Sequence, residues 1–298
     1  MLFRARRYLK YLRFNRQTRR ILDTPPIEYR DAPLAIVSMV SNLDPQRYII
    51  AVKALYRRLG RGKIVAIVDA DMSEAARALI RKHLVKVEFV HLEDINPGKC
   101  QRGGTWERVF YCVRRSKDEY VIQVDADTLC TGDLSEVAEC IDANRPFTLS
   151  EGLPVKPLAE WAEIYKQHPG NHIVQTFERR AGEYPRGSEL MYVRGSSGFA
   201  GFAKGGYDTG RLEEFHEVMQ GIHGERWKEW GTEQIASNYV IANSPGGIPL
   251  PHPKYSTYGG GTLPENPACL HFIGTCRFDG TVFSGLCNRE AELMLAGR

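Results

Sequence analysis

No apolar run in this 298-residue chain approaches the roughly 18 residues that a membrane-spanning helix needs, so no such helix is expected. Its beginning has neither the apolar stretch nor the small-residue cleavage site of a secretory signal, and the expectation is a cytoplasmic protein. The seven cysteines (Cys100, Cys112, Cys130, Cys140, Cys269, Cys276, Cys287) contain no C-x-x-C pair and are odd in number, which suits reduced thiols rather than a disulfide framework. Cys269-x-His271-x4-Cys276 likewise lacks the close cysteine pairs of a structural zinc site. No internal repeat or low-complexity tract is present. Acidic residues are missing from positions 1–22, which hold eight cations (Arg4, Arg6, Arg7, Lys10, Arg13, Arg16, Arg19, Arg20). With the whole chain at +4, the remainder carries −4. Basic charge confined to one end of an acidic chain is a poor footprint for a nucleic-acid groove, so no nucleic-acid partner is expected.

What is present begins with that basic end. Leu2, Phe3, Tyr8, Leu9, Tyr11, Leu12, Phe14, Ile21 and Leu22 interleave with the cations, so a helix here has an apolar stripe beside a basic face. Such a helix suits an anionic membrane surface, giving a peripheral location, or packs on the body of the protein with its basic face solvated. Thr24-Pro25-Pro26 ends it. The whole chain is 43% hydrophobic and long enough to bury one large core or two packed lobes.

Strands and helices then alternate. Residues 34–40 are a continuous apolar strand, and Asp44-Pro45 starts a helix to 59. Strands are expected at 63–68, 85–92 and 119–124, with helices at 73–84 and 105–115 between them. This alternation implies an α/β fold whose parallel sheet carries helices on both faces. The second half is looser, with strands at 189–193 and 198–203, helices at 211–221 and 232–243, and a Pro/Gly/Tyr-rich loop at 246–263.

Asp125-Ala126-Asp127 stands at the end of the 119–124 strand, where open α/β proteins bind ligands and where two acids can share one divalent cation. The following Thr128 to Leu134 reads as a turn and a helix start. The same tripeptide recurs at Asp69-Ala70-Asp71, but there Ser73 and an alternating Glu/Ala/Arg stretch suggest ordinary helix entry. Turn chemistry alone explains an Asp at a strand end, so the tripeptide does not decide between the two.

The order of further features carries a resemblance. Arg108 lies in a helix ahead of the acid pair; Ser196-Ser197-Gly198-Phe199 follows it; then come Glu233-Gln234 with Asn238, and last His271-Phe-Ile-Gly274-Thr-Cys-Arg277. In this order the chain resembles GT-A glycosyltransferases, most of all the retaining family 8 enzymes that use UDP-sugars. Where that family has His-x-x-Gly-x-x-Lys followed by Pro-Trp, this chain has Arg277 and then Phe278-Asp279. The resemblance implies a GT-A fold, a Rossmann-like nucleotide-diphospho-sugar transferase with a mixed, mostly parallel central sheet flanked by helices. After the basic amphipathic segment, taken as 1–30, it implies a catalytic domain at 31–298, with a donor-binding half to about 150 and an acceptor-binding half beyond. The implied partners are a UDP-sugar and a carbohydrate or glycolipid acceptor. Asp127 then binds Mn²⁺ (or Mg²⁺) most directly and Asp125 also touches the ribose.

The chemistry of these residue types fits such a reaction. Charge develops on the β-phosphate as a nucleotide diphosphate leaves, and a cation neutralises it where it forms. Asp125 and Asp127 offer hard oxygens and His271 a nitrogen, a set that suits Mn²⁺ better than an all-oxygen Mg²⁺ site. Gly274 lets backbone approach phosphates, and Arg277 is a planar, permanently charged donor to them. Arg108 is a candidate for a donor-sugar or phosphate contact, or forms an ion pair with Glu107 or Asp118. Ser41, Asn42 and Asp69, at the ends of the first two strands, are candidates for the base and ribose, and Ser197 for the sugar.

In the family reading, Gln234 lies beneath the anomeric carbon and Glu233 orients a substrate. Glu233 acting as general base makes the enzyme inverting instead. Other classes compared are a haloacid-dehalogenase-like phosphatase, whose Thr is placed one position later, and a non-catalytic carbohydrate or nucleotide binder. A sugar-nucleotide pyrophosphorylase needs a Gly-rich, Arg- and Lys-containing loop after the first strand that this chain does not have. Trp161, Trp227, Trp230, Tyr255 and Tyr258 are candidate sugar-stacking platforms or core residues.

Overall fold

A computed structural model describes residues 2–274, 276–278 and 280–297, with side chains from Tyr8 onward. Thr275 and Asp279 of the last motif, and the side chains of Leu2, Phe3, Arg4, Arg6 and Arg7, lie outside the described residues. Helix α1 (Leu2–Gln17) leads through a 3-10 turn into β1 (Ile27–Glu28), β2 (Leu34–Val40), α2 (Pro45–Leu59), β3 (Lys63–Val68), α3 (Glu74–His83), β4 (Leu84–Val85) and β5 (Glu88–His91). Next come α4 (Trp106–Arg115), β6 (Tyr120–Val124), β7 (Thr128–Cys130), α5 (Ser135–Asp142), β8 (Phe147–Ser150), β9 (Lys156–Pro157), α6 (Leu158–Tyr165) and α7 (Ile173–Arg180). The last described elements are β10 (Met191–Tyr192), β11 (Gly195–Phe202), α8 (Thr209–His223), α9 (Thr232–Ala242), β12 (Ile248–Pro249), β13 (Tyr255–Tyr258), β14 (Cys269–Phe272) and α10 (Val282–Leu295). The fold class is α/β, as the alternation implies, and the central sheet flanked by helices is mixed and mostly parallel, as the resemblance implies.

Two compact units divide the chain, the first made of residues 1–94, 124–135 and 253–298. In it β2, β3 and β5 run parallel, β3 between the others, with Val37 opposite Val65 and Ala66 opposite Phe89. Both β2 and β3 are nearly continuous apolar runs because a parallel strand is covered on both faces. The α2 helix starts with Pro at its first turn, where the missing N–H costs nothing, and stops at Gly60, whose φ of 66° closes the end with an N–H to Tyr56 O at 2.6 Å.

A smaller sheet in this unit corrects two sequence expectations. Thr128–Cys130 is a strand, not a turn and helix start; it pairs antiparallel with β14, placing Thr128 opposite His271 and Cys130 opposite Cys269. The helix begins only at Ser135, whose N–H and hydroxyl both go to Asp133. The Pro/Gly/Tyr-rich loop contains β13, which pairs parallel with β14; its tyrosines, Tyr255 and Tyr258, point to opposite faces of the strand and are both buried.

The N-terminal helix packs on its own unit. Tyr11 and Phe14 are buried, and Phe14 joins Ile49, Leu129, Phe272 and Phe283 in one apolar cluster. Gln46 Nε2 donates to Asn15 O and Thr18 Oγ1, and Arg20 pairs with Glu292 at 3.0 Å. On the outward side Tyr8, Leu9 and Leu12 remain exposed, at 50%, 62% and 46%. Both alternatives for this segment therefore have a face to serve them. No described helix is long and apolar enough to cross a membrane.

The second unit holds residues 95–123 and 136–252. Strand β8 pairs antiparallel with β11 and parallel with β12, with a register shift between Ser196 and Ala200. Trp106, Trp161 and Trp227 are fully buried with their indole N–H groups satisfied by Thr232, Tyr192 O and His216. They are core residues, as are Tyr255 and Tyr258 of the first unit; Trp230 alone of the five stacking candidates is exposed, at 70%.

Candidate metal and donor site

The acid pair sits at the corner between β6 and β7, closed by the Thr128 N–H on Asp125 O at 3.0 Å. Strand β14 is laid against this corner by the Phe272 N–H on Asp127 O at 2.9 Å. That pairing delivers the side chain of His271: its Nε2 is 3.4 Å from Asp127 Oδ1 and 3.7 Å from Asp125 Oδ2. One ligand atom from each of the three residues falls within 4.8 Å of the others, and among the described residues no other group of this kind occurs. Cys269 and Cys276 take no part; Cys269 faces Cys130, and Cys276 bonds Gly259 O.

The electrostatics of the corner are strongly biased. Burial pushes the Asp127 carboxyl up, but the hydrogen bond and charge of His271, with the cations Arg277 and Arg47, hold it well below the usual carboxylate range. Burial pushes the His271 imidazole down, and Asp127 and Asp125 more than reverse this, so its pKa is raised. Arg277 Nη1 donates directly to Asp127 Oδ2, while its Nε holds Gly274 O at 2.6 Å. Gly274 has φ of 58°, a conformation that favours glycine, with no heavy atom within 4 Å of where a side chain would start.

Arg47 is the participant that sequence reasoning missed. It lies in the first turn of α2, 1% exposed, with its Nε on Asp44 Oδ1 at 2.7 Å and its guanidinium over the rings of Tyr11 (4.7 Å) and Phe278 (5.4 Å). An Asp44/Arg47 pair at helical spacing was visible, but nothing in the sequence distinguished it from a surface ion pair.

The other donor candidates of this unit cluster at the strand ends. Ser41 Oγ donates to Asp44 Oδ2 at 3.1 Å. Asn42 buckles two loops, donating to Asp71 O at 2.5 Å and accepting the Ser73 N–H at 2.8 Å. Asp69, at the end of β3, is half-buried. Ser73 caps α3 through Ala76 N, so the second Asp-Ala-Asp is a helix entry.

In the second unit Arg108 is 3% exposed on α4, so a surface ion pair does not describe it. Ser197 is buried on β11, with its carbonyl taken by Gln123 Nε2 at 2.5 Å and its Oγ 3.4 Å from Glu233 Oε1. Glu233 is 4% exposed. Gln234, one residue on, lines a polar cavity of about 170 Å³ with Glu151, His172, Gln175 and Arg194. Asn238 is structural, tying Thr148 Oγ1 (2.9 Å) to Gly195 O (2.8 Å). Behind the cavity, fully buried Glu178 lies 3.4 Å from Arg194 Nε, and burial pushes its carboxyl up to about 7. Neither Arg194 nor Glu178 belongs to any motif the sequence displayed.

No protein-family profile and no curated protein sequence matches the chain. Solved structures do. The apo form of the glycosyltransferase GlyE of Streptococcus pneumoniae superposes with a TM-score of 0.51 at 14% identity, covering 88% of this chain and 62% of that one. Mouse xyloside xylosyltransferase 1 gives 0.47 at 13% identity over 85% of this chain and 99% of that one. The mannosyltransferase Ktr4p of S. cerevisiae gives 0.45 at 14% identity, over 96% and 91%. At such identities the likeness concerns the fold, and the GlyE superposition carries it: this chain has the fold of a solved glycosyltransferase.

Proposed function

We propose that the protein is a metal-dependent glycosyltransferase, transferring a sugar from a nucleotide diphosphate, most simply a UDP-sugar, to a carbohydrate or glycolipid acceptor with retention, in the manner of family 8. The observation that carries this is the convergence of Asp125, Asp127 and His271 at one strand-end corner of a glycosyltransferase fold. Two carboxylates and one imidazole are a donor set that fits a divalent cation, Mn²⁺ before Mg²⁺. When bound, that cation supplies Lewis-acid neutralisation of the departing diphosphate.

The chain's own residues divide the remaining work. Arg277, anchored on Gly274 O, presents a rigid fork to phosphate oxygens. Asp69, Ser41 and Asn42 serve the nucleoside end, and Arg108 and Ser197 the donor sugar. Support for retention comes from α9. Gln234 opens on the polar cavity but is too weak a base to activate an acceptor hydroxyl, whereas the carboxylate of Glu233 is buried against Ser197. The leaving phosphate then takes the acceptor proton on the same face. The exposed Tyr8, Leu9 and Leu12, with Lys10, Arg13 and Arg16 beside them, suit a peripheral contact with an anionic membrane in the cytoplasm, where a glycolipid acceptor is reached.

A panel of nucleotide sugars tested for Mn²⁺-dependent hydrolysis and transfer decides the matter. Release of nucleotide from one donor, abolished by chelation, is expected; no turnover of any nucleotide sugar with any divalent cation overturns the proposal.

A further inference from the structure

We propose that a cavity between the end of α4 and the start of α8 binds a small soluble ligand carrying two linked phosphoryl groups, held by Arg114, Lys117 and Arg211. It shares no residue with the metal corner or with the polar cavity at Gln234, and all of its lining belongs to the second unit. Its volume of about 420 Å³ falls within the roughly 300–1,000 Å³ of small-molecule sites. The three cations face one carboxylate, Asp208, whose Oδ1 is spent on capping α8 through the Arg211 N–H at 3.0 Å. At 2.7 Å, the Gly205 N–H on Ser116 O clamps the turn before α8 onto the end of α4, so the two basic walls are joined.

These cations are oriented but not neutralised. Arg211 lies over the ring of Tyr207 at 4.5 Å, and Arg114 over that of Tyr111 at 5.6 Å. A ring takes a guanidinium by its face, which leaves the N–H fork at the edge for an oxyanion. Among the described residues none of the three cations is in an ion pair or donates a side-chain hydrogen bond. Helix dipoles account for only part of this arrangement. Arg114 and Lys117 stand at the C-terminal end of α4, where positive charge is favoured, but Arg211 stands in the first turn of α8, the end that disfavours a cation. An anion between the walls offsets that cost and meets the excess positive charge of the lining. A single phosphate or carboxylate occupies one fork, whereas two linked phosphoryl groups occupy both and leave Lys117 as a point charge beside them.

The test titrates sodium diphosphate calorimetrically into the full chain with a chelator present, so that no divalent cation takes part. The wild type should bind it, and Arg114→Gln/Arg211→Gln should bind it roughly tenfold or more weakly, as the loss of two charge-assisted contacts implies. Both positions are exposed, so the fold is not at stake. No binding to the wild type, or equal affinity in the two proteins, overturns the site. The charge-matched variant Lys82→Gln/Lys166→Gln changes exposed positions outside the cavity and should keep wild-type affinity. Weakening equal to that of the first variant reduces the effect to net charge and overturns the site as well. Inorganic phosphate and citrate complete the panel, and both should bind more weakly than diphosphate. Citrate of equal or higher affinity overturns the phosphoryl assignment, and phosphate of equal affinity overturns the use of two groups.

Discussion

His271 Nε2 stands 3.4 Å from Asp127 Oδ1 because two short strands, β14 and β7, run antiparallel and set Thr128 opposite His271. The imidazole therefore reaches the acid pair through backbone pairing and not through a flexible loop, so the donor geometry is built into the sheet. A site held this way loses little conformational entropy on taking a cation.

Asp127→Asn should lower metal-dependent turnover by roughly 10²–10³-fold, the usual effect of removing one group that stabilises developing charge. It should also cost about 1–3 kcal/mol of stability, since the carboxylate offsets His271, Arg277 and Arg47 inside the corner. Donor hydrolysis and urea unfolding measure the two effects. A variant with wild-type turnover reduces the acid pair to a turn.

The raised pKa of Glu178 makes a signed prediction. Its folded value of about 7 exceeds the ordinary 4.5, so the folded state holds a proton that the unfolded state has released. Stability therefore falls as pH rises from about 4.5 through about 7, by about 3 kcal/mol in all. Glu178→Gln should flatten the profile of thermal unfolding over this interval. A profile that keeps its slope in the variant assigns the decline to other groups.

For the N-terminal helix, deletion of residues 1–22 is a poor experiment, because Tyr11, Phe14 and Ile21 leave the core with it. Leu9→Glu/Leu12→Glu changes only exposed positions. Pelleting with anionic vesicles should be strong and salt-sensitive in the wild type and lost in this variant, with thermal stability unchanged. Equal pelleting of both proteins assigns the helix to structural packing alone.

Gly195→Ala should destabilise by about 1–3 kcal/mol, the cost of an overpacked interior. A methyl group there would stand 2.6 Å from Leu149 O and 2.7 Å from Thr148 Oγ1, and the first of these is backbone that has no rotamer to yield. Denaturant midpoints decide it; an unchanged midpoint means β8 and β11 separate more easily than their pairing suggests.

Stereochemistry is tested at α9. Proton NMR of an early product from an α-linked donor should show an α linkage, with Glu233→Gln costing far less than the 10²–10⁴-fold that loss of a general base brings. A β-linked product with that larger loss makes Glu233 the base and the enzyme inverting.

The long elements were legible in the sequence because their signals are local. An apolar run from Leu34 to Val40, or Pro45 opening a helix that Gly60 closes, needs no tertiary information. The small sheet was not legible: Thr128–Cys130 is three residues long, too short for a period, and its partner lies far along the chain. For the same reason two Asp-Ala-Asp strings looked alike, and only the arrival of His271 at Asp127, against the Ser73 cap after Asp71, separates them. Arg47 stayed hidden because burial of an arginine beneath Tyr11 and Phe278 is a property of packing between distant segments.

Calorimetric titration of UDP, with Mn²⁺ and after chelation, tests the central claim most directly. Asp125, Asp127 and His271 holding one cation against a diphosphate predict that UDP binds tightly with Mn²⁺, weakly without it, and weakly under both conditions to Asp127→Asn. UDP affinity that is the same with and without metal contradicts the account.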